Sequence, residues 1–228
     1  PCRAEYGWIM PRFHQLLAFV TIVTGFAAAT DPRVAHAEPT EVVAFGDSLS
    51  AGYGVGPGEA FPEQLERRLR AGGRDVRVVN AGVSGDTTQG GLARLDWSVP
   101  ASADVVIVEL GANDALRGVS PTVTRRNLDA ILAALTKRAN TQVILAGMIA
   151  PPNLGGSYGR DFNPIYTELA AKYDVPLYPF FLDGVAAISR LNQADGMHPN
   201  AEGVAIIVDR LLPEVEAAVD RARRANAS

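Results

Sequence analysis

Cysteine is almost missing from the 228 residues: Cys2 stands alone, so neither a disulfide framework nor a cysteine-rich zinc site can be built from this chain. Histidine is nearly as scarce, with only His14, His36 and His198. No basic cluster stands out and the formal net charge is −4, which excludes nucleic acid as the expected partner. Repeats and low-complexity linkers are lacking too, and no apolar run reaches the ~20 residues that a membrane-spanning helix needs. What is there, 47% apolar and 20% charged residues, is the composition of a globular protein large enough to bury a core without staples.

The first 37 residues read differently from the rest. Met10 and Arg12 precede an apolar run from Leu16 to Thr30, and Ala35, His36 and Ala37 supply the small-x-small pattern that signal peptidase recognises. Residues 1–9 read as an upstream extension. Cleavage is expected before Glu38, giving an exported protein, periplasmic or secreted, with no stable membrane insertion; a membrane anchor is the competing reading. The cut would remove Cys2, His14 and His36 with three arginines and two acidic residues, leaving a net charge near −5. Any imidazole chemistry then belongs to His198. Residues 38–228 are expected to form one domain and to act as a monomer.

Short β-branched runs alternate with stretches of helical period. The runs are "EVVAF" from Glu41, "DVRVVN" from Asp75, "DVVIVEL" from Asp104, "QVILAGM" from Gln142 and the weaker "PLYPFF" from Pro176. The first, third and fourth are nearly continuous in apolar residues, as strands covered on both faces are. Ser120 as N-cap and Pro121 in the first turn open a stretch in which Leu128, Ile131, Leu132 and Leu135 form one stripe. The last stretch, from Asn200, repeats the pattern with Val204, Ile207, Val208, Leu211 and Val215, and Pro213 is expected to kink it or end its first half. Strand and helix alternating in this way predict a doubly wound parallel sheet, whose sites lie on loops at the carboxyl ends of strands.

Small and polar residues crowd four segments at those ends: "GDSLSAGYG", "NAGVSGD", "LGANDALRG" and "DGMHPN". Gly46, Asp47 and Ser48, directly after a buried strand, could set a nucleophilic hydroxyl at the mouth of the sheet, or form a turn with a capping serine. The glycines of "SAGYGVGPG" match neither the dinucleotide nor the Walker pattern. "GGSYG" has the letters of a nucleophile elbow around Ser157, but Pro151, Pro152 and Asn153 part it from the fourth strand, so Ser157 is expected in a mobile loop over the site. Imidazole can take a proton from a serine hydroxyl and a carboxylate can orient it, which pairs His198 with Asp195; the alternative is a histidine capping the last helix beside a solvated aspartate. The N–H groups of Ser48 and Gly85 and the Asn113 amide could converge on an oxyanion, each donor contributing about 3 kcal/mol. Taken singly, Gly85 reads as a tight turn and Asn113 as a left-handed residue. Four unrelated turns at four strand ends would be a coincidence that one shared acyl-transfer site removes.

In this order, "GDSLSAGYG" with Ser48, "SGDT" with Gly85, "GAND" with Asn113 and "DGMHP" with Asp195 and His198 resemble the four blocks of the SGNH, or GDSL, hydrolase family. The resemblance runs from about Glu41 to Val215. "VVNAGVSGDTTQGGLARL", "VELGANDALRG" and "YDVPLYPFF" are most similar to the family's bacterial periplasmic subgroup of thioesterases, lysophospholipases and arylesterases. The resemblance implies a flavodoxin-like, three-layer α/β/α sandwich on a five-stranded parallel sheet. It also implies a triad of Ser48, Asp195 and His198 and an oxyanion hole from Ser48, Gly85 and Asn113. The implied activity is hydrolysis of acyl esters, with thioesters and lysophospholipids as further substrates, through an acyl-enzyme and with no metal or organic cofactor. Leu116, Met148, Ala150 and Pro151 are expected to line the acyl groove. Ala112 stands where the subgroup often has a glycine, and Ala150 where it has a larger aliphatic residue. A carbohydrate acetyl esterase of the same fold and a noncatalytic binding protein that retains it stay open as alternatives.

Overall fold

The β-branched runs form five strands: β1 (Thr40–Gly46), β2 (Val76–Gly82), β3 (Val105–Glu109), β4 (Gln142–Ala146) and β5 (Leu177–Tyr178). The structure, a computed structural model, describes Gly7 and residues 38–227. The export signal read within residues 1–37 lies outside the described residues, Gly7 apart. The strands pair in parallel in the order β2-β1-β3-β4-β5. Every residue of β1 and β3 is buried, which is why those two runs are apolar on both faces. β5 is shorter than "PLYPFF" suggests. Pro176 and Pro179 flank its two residues and bring no N–H to the ladder.

Between the strands lie α1 (Ser48–Ala51), α2 (Phe61–Ala71), α3 (Thr88–Ser98), α4 (Ala112–Leu116), α5 (Pro121–Leu135), α6 (Gly156–Phe162) and α7 (Pro164–Tyr173), with α8 (Ala201–Asn226) closing the chain. Helices α2 and α8 pack together on one face, and α3, α5 and α7 adjoin one another on the other, giving three layers. The α5 stripe of Leu128, Ile131, Leu132 and Leu135 is fully buried. Ser120 holds the N-cap position of α5, although its side chain makes no capping bond.

Pro213 does not end the last helix. α8 runs through it as one element, because Val204, Ile207, Val208 and Leu211 before it and Val215, Ala218, Val219 and Ala222 after it are all buried. The proline itself faces solvent. Among the described residues no helix is long and apolar enough to cross a membrane.

The register places Gly46 beside both Gly82 and Glu109, so β1, β2 and β3 end level. From β1 the chain turns outward to β2, and from β3 it proceeds the other way through β4 to β5. The loops that follow the neighbouring strands β1 and β3 therefore diverge to opposite faces, leaving a crevice at their carboxyl ends.

Candidate active site

The crevice begins at a turn too tight for any side chain. A Cβ on Gly46 would lie 2.2 Å from Ser50 Oγ and 2.4 Å from Glu109 Oε2. Asp47 then leaves the strand and caps α1, its Oδ1 accepting from the N–H of Leu49 at 3.0 Å. Ser48 is thus the first residue of the helix. The capping residue is Asp47, not the serine. The Ser48 N–H has no acceptor among the described residues, as expected of a first-turn donor.

From 150 positions downstream, His198 brings its Nε2 to 3.0 Å from Ser48 Oγ. Its Nδ1 lies 2.6 Å from Asp195 Oδ2. A carboxylate can only accept, so Nδ1 carries the proton and Nε2 offers its lone pair to the serine hydroxyl. Asp195 Oδ1 also accepts from the N–H groups of His198 at 3.0 Å and Met197 at 2.9 Å. These bonds, the His198 N–H first, hold the Asp195 carboxyl down to about 2. His198 does not cap α8; Asn200 does, its Oδ1 accepting from the N–H of Gly203 at 3.0 Å.

Asn113 is the second residue of α4. The left-handed conformation belongs instead to Gly111, at φ +118°, where a Cβ would meet Tyr166 Oη at 2.1 Å. Asn113 Nδ2 donates to Asp47 Oδ2 at 3.0 Å, which fixes the amide and leaves its second N–H to point elsewhere. Next to it, buried Asp114 accepts from the Thr88 N–H at 2.7 Å and from the hydroxyls of Thr88 at 2.5 Å and Thr124 at 3.1 Å. It thereby clamps α4 to α3 and α5.

Gly85 lies at φ +81° in a turn closed by the Asp86 N–H on the Val83 carbonyl at 3.0 Å. The turn is tied to the end of β1, since the Val83 N–H donates to the Gly46 carbonyl at 3.0 Å. The Gly85 N–H has no acceptor among the described residues, and its carbonyl accepts from Arg117 Nη2 at 2.7 Å.

Two buried charged residues that the sequence did not single out support these turns. Glu109 Oε2 accepts from the Asp47 N–H at 3.2 Å and from Ser50 Oγ at 2.8 Å. Burial first, then the Asp47 charge, push the Glu109 carboxyl well above its ordinary range. Burial likewise raises Asp47 to about 6, against the lowering by the Leu49 N–H and the Asn113 amide. The only signal of Glu109 in the sequence is an acid ending an otherwise apolar strand. Arg94, 5% exposed, reaches the Asp86 carboxylate at 2.6 Å and the carbonyls of Ala81 and Gly46 at 2.8 Å each. It therefore joins the ends of β1 and β2 to the Gly85 turn. An arginine in an amphipathic helix ordinarily reads as solvated, so nothing in the sequence marked it.

Ser48, Asn113 and His198 open onto a groove of about 530 Å³ whose walls are apolar. Leu116, Met148, Ala150 and Pro151 all line it, with Phe180 and Leu182 from beyond β5 as walls the sequence did not suggest. Gly85 borders the Ser48 turn but is not part of that lining. Ser157 is exposed in α6, a helix where a loop was expected, and lies outside the groove. Among the described residues no group of three or more His, Cys, Asp or Glu side chains is placed to hold a metal ion.

Known proteins share this arrangement of chain. Over 210 residues the protein is 37% identical to thioesterase 1/protease 1/lysophospholipase L1 of Escherichia coli strain K12, covering 92% of this chain and 95% of that one. It is 39% identical over 179 residues to an arylesterase of Vibrio mimicus, covering 77% and 88%. The crystal structure of AlinE4, an SGNH-hydrolase family esterase, is similar with a TM-score of 0.67 and 49% identity, covering 80% of this chain and 97% of that one. Residues 44–206, which carry all four crevice segments, match the GDSL-like lipase/acylhydrolase family, and the chain belongs to that family.

Proposed function

We propose that the protein is a serine esterase that hydrolyses small acyl esters through a covalent acyl-enzyme. The observation that carries this reading is the continuous chain from Ser48 Oγ to His198 Nε2 and from His198 Nδ1 to Asp195, opening on an apolar groove. Ser48 Oγ attacks the ester carbonyl while its proton passes to His198 Nε2. The oxygen that becomes negative is held by the N–H groups of Ser48 and Gly85 and the free N–H of the Asn113 amide. As the tetrahedral adduct collapses, His198 returns the proton to the departing alcohol, leaving the acyl group on Ser48. Water then attacks, His198 takes its proton, and the acid departs as Ser48 Oγ is reprotonated. Asp195, ionised throughout because its carboxyl is held low, keeps the imidazole in the required tautomer.

Thioesters and lysophospholipids are proposed as further substrates, supported by the name of the Escherichia coli relative, and aryl esters by that of the Vibrio relative. The apolar walls suit an acyl chain better than a sugar. Export to the periplasm or the exterior after loss of residues 1–37, and action as a monomer, complete the reading.

Ser48→Ala should abolish turnover of p-nitrophenyl esters and labelling by a fluorophosphonate probe, a loss of at least about 10³-fold. Ser157→Ala should keep both. Turnover surviving the first change and lost in the second would make Ser157 the nucleophile.

A further inference from the structure

The imidazole has one neighbour that the steps above leave without a role. Tyr53 follows α1, and its ring lies 4.6 Å from that of His198, centroid to centroid, with the planes 39° apart. The tyrosine is nevertheless 54% exposed. Its backbone is held on both sides. The Tyr53 N–H donates to the Ser48 carbonyl at 3.1 Å, and the Tyr53 carbonyl accepts from Gln193 Nε2 at 2.7 Å. Gln193 belongs to the His198 loop: its N–H donates to the His198 carbonyl at 2.8 Å and its Nε2 to the Pro199 carbonyl at 2.9 Å. One amide side chain thus locks the tyrosine loop to the histidine loop. Tyr53 does not line the apolar groove, although Ser48 and His198 both do.

Proton delivery decides which part of a substrate meets this ring. For His198 to protonate the departing oxygen, that oxygen must come within about 3 Å of Nε2. With the acyl chain in the groove, whatever the oxygen carries extends past the imidazole on the side the groove does not occupy. The exposed Tyr53 ring, in contact with the imidazole and outside the groove, is the aromatic surface available to it.

We propose that Tyr53 is the leaving-group platform of the site, its open face stacking on the ring of an aromatic alcohol, so that the protein favours aryl over alkyl esters of the same acid. The proposal rests on the acyl-enzyme mechanism above. Ring stacking of this kind corresponds to about a three- to tenfold preference. It acts in acylation only, because the alcohol has left before water attacks. A tyrosine that merely braced the imidazole would affect both steps and every ester alike.

The test compares phenyl and hexafluoroisopropyl esters of one acid, whose alcohols are similarly acidic although only phenol is a flat ring. The unmodified protein, Tyr53→Phe and Tyr53→Ala are assayed for kcat/KM on each ester and for the deacylation rate after the burst. Tyr53→Ala should lower the phenyl-to-hexafluoroisopropyl preference about three- to tenfold and leave deacylation of the shared acyl-enzyme as it was, while Tyr53→Phe keeps the preference. An unchanged preference, an equal loss for both esters, or slowed deacylation would overturn the assignment. If neither ester is hydrolysed by the unmodified protein, or both survive Ser48→Ala, the acyl-enzyme reading fails first and the platform with it.

Discussion

Beneath the Ser48 turn lies a carboxyl with one oxygen, Glu109 Oε1, that is buried and has no partner among the described residues. An ionised group in that position is costly, and the nearby Asp47 carboxyl makes it more so. Glu109 therefore binds a proton more tightly in the folded protein than in the unfolded chain. Its contribution to stability is intact below the ordinary carboxylate value of 4.5 and declines as pH rises from there toward the raised folded value. Glu109→Gln keeps an oxygen to accept from Asp47 and Ser50 but cannot ionise. Urea unfolding at pH 5 and pH 8 should show the variant gaining on the unmodified protein at the higher pH; an equal difference at both would mean that the Glu109 carboxyl is unshifted, and a gain at the lower pH that the fold favours its ionised form. Asp195 has the opposite sign, since its carboxyl is lowered to about 2 and its bonds to His198 and Met197 are lost only as pH falls toward that value. That Ser48, Asp195 and His198 meet could be anticipated from the sequence because chemistry narrows the choice: residues 38–228 hold one histidine. Glu109 and Arg94 could not, because what marks them is enclosure by neighbours far along the chain.

At the level of elements, the apolar runs of β1, β3 and β4 and the stripe of α5 foretold their positions well, since a strand covered on both faces and a helix covered on one leave different spacings. The edges were less legible. Pro176 and Pro179 shorten β5 without altering its apolar pattern, and Pro213 fails to interrupt α8 although local rules say that it should. Burial on both sides of Pro213 outweighs the missing N–H, and the residue whose carbonyl loses that donor, Asp209, is exposed, where water can satisfy it. The proline is therefore tolerated by the helix on its exposed side. A proline inside a helix costs about 3 kcal/mol relative to alanine, part of which bending recovers. Pro213→Ala should stabilise the protein by about 1 kcal/mol in urea with unchanged ester turnover, the unfolded chain's gain in freedom taking back a fraction. A loss of stability would show that the restriction of the unfolded chain, and not the helix, is what Pro213 governs.

Over the whole molecule, the site is assembled by topology, and this is the part that residue-by-residue reading reaches only through a coincidence of four small, polar segments. Ser48 follows β1, Gly85 follows β2 and Asn113 follows β3, and the register that ends these strands level brings the three together. His198 is delivered by the loop that leads into α8, whose burial against α2 and the sheet fixes where that loop must end. All of these parts lie within residues 38–227. The hydrophobic core extends from Val42 to Ala222 in the chain, and β1 is fastened at its start by the Thr40 N–H on the Asp75 carbonyl at 3.1 Å and by Arg223, which bonds Thr40 Oγ1 at 3.1 Å and the Asp75 carbonyl at 2.5 Å. A protein beginning at Glu38 should accordingly unfold in one cooperative transition and hydrolyse p-nitrophenyl esters with the kcat/KM of the full chain, measured by urea titration and steady-state kinetics side by side. Equal values are what a removable export signal requires, because the segment then contributes to destination and not to the catalyst. If the shortened protein aggregates or loses turnover while the full chain does not, residues 1–37 must cover part of the catalytic body, and their reading as a cleaved signal would be wrong.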